Sequence, residues 1–251
     1  MKSTHRIVVA VAPLRHDAAD RSEQVNQMLY DEGLLLLDRQ EKWSLVRSCA
    51  DGYEGWIDNK QFAAIPEGFV ASQRLVVHQR STAIANSVAE MHIPHGCVLQ
   101  LDAWGKTADG YFGDNGDTGP TKRTSIESLL ECGRMYLNTP YLWGGRSIWG
   151  IDCSGLMQQI FRVHGVEIPR DSGPQSQLGE AIHLIGEARA GDLAFFDNEE
   201  GKIIHVGLMI GPDRILHASG HVRIDRIDHF GIYNQQQQRY THKLRIIRRI
   251  L

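Results

Sequence analysis

A chain of 251 residues, 42% hydrophobic and 23% charged, has the make-up of a soluble globular protein and room for one large domain or several small ones. Its formal net charge of −3 sets up no basic field, which argues against nucleic acid and anionic membrane as partners. No apolar run approaches the ~18 residues of a membrane span, and the four cysteines, without a CxxC pair, fit neither a disulfide framework nor a structural zinc site.

The first apolar run, Ile7–Ala12, is shorter than the ~7–15 residues of a signal h-region and is closed by Pro13, so the expected setting is cytoplasmic. It predicts a strand instead. Arg15–Asp20 reads as a turn and Ser22–Tyr30 as a polar connection. Gly33–Asp38, Trp43–Ser48 and Gly55–Asp58 predict further strands. The same rhythm returns in Phe69–His78, Ala83–Met91, Cys97–Ala103 and Tyr111–Phe112, with a turn at Pro94-His95-Gly96. Short strands at this spacing predict two small β-barrels, residues 1–66 and 67–122, divided near Ile65–Gly68. Asp114–Pro120 reads as a linker. His92, His95 and Cys97 could be imagined as metal ligands, but they fall in a turn with no fourth ligand.

The texture changes near residue 123. Thr124 and Glu127 form an apparent capping box before a helix carrying Ile126, Leu129, Leu130 and Gly133. After the aromatic, glycine-rich Tyr141–Ile151 comes a second helix, from Asp152 to about His164, with Gly165 as its stop. Strands then follow at Leu193–Asp197, Ile203–Ile210, Ile215–Ala218, Val222–Ile227 and Leu244–Leu251. Helices first and an antiparallel meander after them make residues 123–251 an α+β domain.

Cys153 stands where that second helix begins. A thiol reacts as its thiolate, and unpaired N–H groups at a helix start favour the anion. Asp152 is a natural N-cap, and the N–H groups of Cys153 or Ser154 could hold an oxyanion. A nucleophilic thiol needs a base. Of the 12 histidines, most sit in polar turns or near the termini, His242 among them. His205 and His217 differ, because each lies inside an apolar strand, and the two strands are joined by a short turn. Paired strands would bring both imidazoles to one neighbourhood, a base with a polar partner that orients it.

Tyr141-x-Trp143-Gly144-Gly145, Asp152-Cys153-Ser154-Gly155, Ala190-Gly191-Asp192-Leu193 and His205-Val206-Gly207, in that order, resemble the NlpC-type cell-wall cysteine peptidases. The resemblance implies a papain-like core over about Thr121 to Leu251. It implies Cys153 as nucleophile, His205 as base, His217 as the third polar residue and Tyr141 on the oxyanion side. It implies substrate contacts at Trp143, Asp152, Ser154 and Ser172. The first barrel, through Ser22–Val25, Leu29-Tyr30, Trp43 and Gly52–Trp56, resembles the bacterial Src-homology-type barrel of a subgroup that recycles murein peptides. There Glu23, Tyr53 and Asp152 would hold the free amine of an N-terminal L-alanine. Asp31 stands where that subgroup usually has glycine.

The implied activity is cleavage of the γ-D-glutamyl–diamino acid bond of a murein peptide by a monomer, with no metal or cofactor. Three other readings fit parts of the pattern: an exported hydrolase of intact wall, a non-catalytic wall-peptide binder, and an acyltransferase or amidase on the same core.

Overall fold

The computed structural model describes residues 3–111, 118–122 and 124–251. Part of the expected strand Tyr111–Phe112 and of the expected linker Asp114–Pro120 lies outside them. The chain divides into two compact units, Met1–Lys122 with Trp143–Trp149, and Arg123–Leu142 with Gly150–Leu251.

The N-terminal unit begins with β1 (His5–Ile7), β2 (Val11–Arg15), β3 (Gln24–Leu29), β4 (Gly33–Arg39), β5 (Trp43–Ser48), β6 (Glu54–Asp58) and β7 (Phe62–Ala64). They form one antiparallel sheet in the order β3-β2-β6-β5-β4-β1-β7, the first barrel. Its core is Ile7, Ala12, Leu14, Met28, Leu34, Val46, Ile57 and Phe62. The expected strand Ile7–Ala12 is in fact two, broken at Val8–Ala10. The polar stretch read as a connection is mostly β3. Asn26 and Gln27 are buried there, and Gln27 finds its partner far along the chain: its Oε1 accepts from the Arg146 N–H at 2.8 Å.

β8 (Gln73–Val77), β9 (Ser81–Ala85), β10 (Glu90–Pro94), β11 (Val98–Leu101) and β12 (Thr118–Gly119) follow, β9 and β10 as a two-stranded sheet and β11, β8 and β12, in that order, as a three-stranded one. The stretch Ala83–Met91, expected as one strand, is the β9–β10 hairpin. Asn86 turns it by accepting from the N–H groups of Val88 and Ala89. Asp31 occupies the left-handed region at φ 65°, which explains the glycine expected there. Its carboxylate offsets the strain by accepting from the Gln100 N–H at 2.6 Å and pairing with Arg6 at 3.3 Å. β13 (Arg146–Ser147) completes the unit.

The second unit starts with α1 (Ile126–Met135), capped by Ser125, whose side chain accepts from the Ser128 N–H. The expected cap, Thr124, instead donates its hydroxyl to the His164 carbonyl at 3.1 Å. β14 (Gly150–Ile151) leads into α2 (Cys153–Arg162), and Asp152 caps it as expected. Leu156, Met157, Ile160 and Phe161 are fully buried, each worth ~1.5–3 kcal/mol of apolar burial. Gly133 lets α1 close on this face. A Cβ there would meet Leu216 Cδ2 at 3.1 Å and Ile160 Cδ1 at 3.3 Å.

α3 (Ser172–Gln175) and β15 (Glu180–Ile182) precede β16 (Leu193–Asp197), β17 (Ile203–Gly211), β18 (Arg214–Ser219), β19 (His221–Asp228), β20 (Gly231–Asn234) and β21 (Arg239–Arg249). These strands make an antiparallel sheet in the order β15-β21-β16-β17-β18-β19-β20, with β20 also pairing β21. β15 and β20 were not expected, and β21 starts five residues before the expected Leu244. The second unit is the papain-like part of the chain, mostly antiparallel sheet with few helices. Among the described residues no helix is long and apolar enough to cross a membrane.

Candidate active site

β17 and β18 are a tight hairpin whose register pairs Gly207 with His217 and Leu208 with Leu216. Side chains two apart on a strand share a face. His205 and His217 thereby meet, with His205 Nε2 2.9 Å from His217 Nδ1. Gly207 makes the approach possible, because a Cβ at that position would lie 2.9 Å from His217 Cβ and 2.7 Å from Ile215 Cδ1. The glycine two residues after the expected base is therefore a steric requirement of the pair.

A fourth group continues the line. His217 Nε2 is 3.1 Å from Asp225 Oδ2, on β19. Arg223 NH2 donates to Asp225 Oδ1 at 2.9 Å, and its Nε lies 2.8 Å from Oδ2. Burial pushes the Asp225 carboxyl up, but hydrogen bonds from His217 and Arg223 outweigh it and hold the group below the usual carboxylate range. Asp225 is therefore ionised and can only accept.

That fixes the protons along the whole line. His217 must carry its hydrogen on Nε2, so its Nδ1 accepts. His205 must then donate from Nε2, which leaves His205 Nδ1 as a bare lone pair. An ionised carboxylate at one end prepares a base at the other. Sequence reasoning missed Asp225. The signal was an Arg-x-Asp pair alternating with apolar residues on the strand after the histidine hairpin.

The thiol is held against the same hairpin. The backbone N–H groups of Val206, next to His205, and of Ser154 point at the Cys153 sulfur and favour its anion. They do not win. Complete burial and the Asp152 charge push the Cys153 thiol up to about 12. The helix start, expected to lower the thiol, is outweighed by desolvation. Burial also drives the His205 imidazole well below its ordinary 6.5, helped by the neighbouring His217 and His242. Thiol and base rest as a neutral pair, and the proton must move as the sulfur attacks.

A base kept neutral by burial stays active until the pH falls through its lowered pKa. The acid limb of kcat/KM is therefore expected below 6.5. Between there and ~8.5, where a free thiol would ionise, the profile should be flat. A pH–rate series on the wild-type protein checks this, and a limb rising through 8.5 would show thiolate supplied by bulk ionisation.

Tyr141 is half-buried. Burial, with Cys153 and the Asp152 carboxylate beside it, pushes its hydroxyl up, so it remains a donor at any working pH. Asp152 is buried and fully engaged. Its Oδ1 accepts from the Gly155 N–H at 2.7 Å, the Ser154 hydroxyl at 3.2 Å and Arg170 NH1 at 3.0 Å, while its Oδ2 takes Arg170 NH2 at 2.6 Å. One carboxylate serves as helix cap and as partner of Arg170. Ser172 opens α3, and Gln175 of that helix donates to the Ser154 carbonyl at 3.1 Å. In the N-terminal unit, the Trp143 indole N–H donates to Glu23 Oε1 at 2.6 Å, and Gln24 donates to the Trp143 carbonyl at 2.8 Å. Tyr53 is half-buried against the first-barrel core. His92, His95 and Cys97 do not form a cluster of ligand atoms; among the described residues the group that does is His205, His217 and His242.

A model described as the NlpC/P60 family matches residues 138–245, and one described as a bacterial dipeptidyl-peptidase SH3 domain matches residues 14–62. The gamma-D-glutamyl-L-lysine dipeptidyl-peptidase of Bacillus subtilis (strain 168) is 34% identical over 216 residues, covering 76% of this chain and 71% of that protein. Dipeptidyl-peptidase 6 of Lysinibacillus sphaericus is 34% identical over 247 residues, covering 85% of this chain and 86% of that protein. A crystal structure of an NlpC/P60 family protein from Bacillus cereus ATCC 10987 has the same fold, with a TM-score of 0.85 over 99% of this chain and 100% of that one, at 22% identity.

Proposed function

The chain belongs to the NlpC/P60 family of cysteine peptidases, and on that premise we propose that it cleaves the γ-D-glutamyl–L-diamino acid bond of murein peptides with a free N-terminal L-alanine, releasing L-Ala-D-Glu. Hydrolysis of peptidoglycan peptides goes with the family; the bond and the free end are the proposal. The diamino acid is lysine or diaminopimelate. The observation that carries the reading is the ordered line Asp225–His217–His205, which leaves a bare nitrogen on His205 in the unit that presents a thiol at the head of α2. The names of the Bacillus and Lysinibacillus relatives support the release of a dipeptide.

Cys153 attacks the γ-carbonyl while His205 Nδ1 takes the thiol proton. The C–N bond of the tetrahedral intermediate breaks as His205 returns that proton to the leaving amine. Water then attacks the thioester, with His205 again as base, and frees the γ-carboxylate and the thiol. Tyr141 and backbone N–H groups at the start of α2 stabilise the oxyanion. Asp152, already neutralised by Arg170, offers an ammonium little net attraction. Glu23, whose carboxylate is oriented by Trp143, is the stronger candidate for the amine.

The test compares L-Ala-γ-D-Glu-diaminopimelate and its lysine counterpart with their N-acetylated forms, products being followed by mass spectrometry. Acetylation is expected to lower kcat/KM by about tenfold or more, because it removes the ammonium that would make a charged hydrogen bond to Glu23. Equal rates on free and blocked peptides would remove the amine requirement. Hydrolysis surviving Cys153→Ala would remove the nucleophile.

A further inference from the structure

A third imidazole lies against the histidine pair and has no task in the mechanism above. His242 is on β21, and its ring is stacked on His205 with centroids 4.1 Å apart and planes 25° apart. It meets His217 nearly edge-on at 5.8 Å. Phe196, on β16, reaches both rings, 5.7 Å from His205 and 5.9 Å from His242. His242 Nδ1 is itself engaged, 2.9 Å from the Thr241 hydroxyl oxygen.

We propose that His242 is a positioning residue for His205: its ring face fixes the plane of the base and stabilises the positive charge that His205 gains when it accepts the thiol proton. The inference rests on the reading of His205 as that base.

Two physical effects support it. The last torsion of an imidazole is soft, so hydrogen bonds alone hold its plane loosely. A ring stacked at this distance blocks rotation, since an edge-on His205 would need the space that His242 fills. Nε2 therefore stays on His217 and Nδ1 stays free. An aromatic face also attracts a cation, more strongly where water is excluded. That benefit needs His242 to be neutral. Burial and the neighbouring His217 lower its pKa to about 4, with Asp225 working the other way. The titratable groups facing it are His205 from β17, His217 from β18 and Asp225 from β19.

Nitrogens of His205, His217 and His242 lie within 4.8 Å of one another, close enough to suggest a metal cage. The stack argues otherwise. Imidazole lone pairs lie in the ring plane, and two near-parallel rings at 4.1 Å do not aim theirs at one point.

The experiment measures iodoacetamide alkylation of Cys153, read on the Cys153 peptide by mass spectrometry because the exposed Cys49 reacts as well. Wild type, H242A and H242F are compared across pH, with hydrolysis of the free-amine peptides measured in parallel. H242A is expected to slow alkylation and kcat about tenfold with KM within about twofold, since an unfixed base loses near-attack geometry. H242F, which keeps a stacking face, should recover both to within about threefold. In H242A water reaches His205 and raises its pKa. The acid limb should then move to higher pH, and less so in H242F. Wild-type rates in H242A, an unmoved limb, or H242F as slow as H242A would each overturn the proposal; circular dichroism matching wild type separates these outcomes from misfolding. Alkylation that responds to His242 in a protein that leaves the peptides intact would uphold this inference and sink the substrate reading alone.

Discussion

Asp225→Asn is expected to lower kcat by about 10²–10⁴-fold with KM changed by less than about threefold, the pattern of a tautomer error in an otherwise intact relay. Arg223 donates to one Asp225 oxygen and lies against the other, so asparagine must turn its amide oxygen toward the guanidinium. Its NH₂ then faces His217 Nε2, which is 3.1 Å from Oδ2 in the native protein. His217 responds by moving its hydrogen to Nδ1 and donating to His205 Nε2. His205 is left with its hydrogen on Nδ1, the nitrogen that should take the thiol proton. The loss is in the chemical step, since no group that binds substrate has moved. Steady-state kinetics on the free-amine peptide, with alkylation of Cys153 as a substrate-free control, measures it. A kcat within about fivefold of wild type would show that the base does not depend on the carboxylate for its tautomer.

Why Asp225 escaped a reading of the sequence while His205 and His217 did not is a matter of range. The two histidines stand out because each interrupts an apolar strand and one short turn separates them. Their pairing follows from hairpin register, which is local. Asp225 is in a strand where charged and apolar residues alternate, and that pattern ordinarily marks a solvated face. It is buried because β18 and β19 pair so that Asp225 opposes Ile215, two residues along from His217. His242 is further removed. β21 pairs with β16 across a register shift between Phe195 and Phe196, and no local pattern foretells which residues that shift aligns. The same holds in the first barrel. β3 reads as a polar connection, yet Gln27 within it and Glu32 just after it are buried on Arg146, more than a hundred residues away. Local rules found the histidine hairpin, the nucleophile helix and its cap, while groups buried by distant partners stayed out of reach.

Arg170→Met is expected to destabilise the second unit by about 3–5 kcal/mol at pH 7, because it leaves Asp152 as an uncompensated buried charge. The native pair is dry: the Arg170 and Asp152 side chains are 2% and 7% exposed, with NH2 2.6 Å from Oδ2. Arg170 NH1 also donates to the Ser154 hydroxyl at 2.9 Å, so one guanidinium ties the cap to the first turn of α2. Asp152→Asn in the same chain removes the charge and keeps a side chain that can cap a helix. The double variant is therefore expected to regain about 2 kcal/mol or more over Arg170→Met alone. Urea midpoints at pH 7 for wild type, both single variants and the double complete the cycle. If Arg170→Met costs less than about 1 kcal/mol at pH 7, Asp152 is not a buried anion held by Arg170, and its charge is free for an ammonium after all.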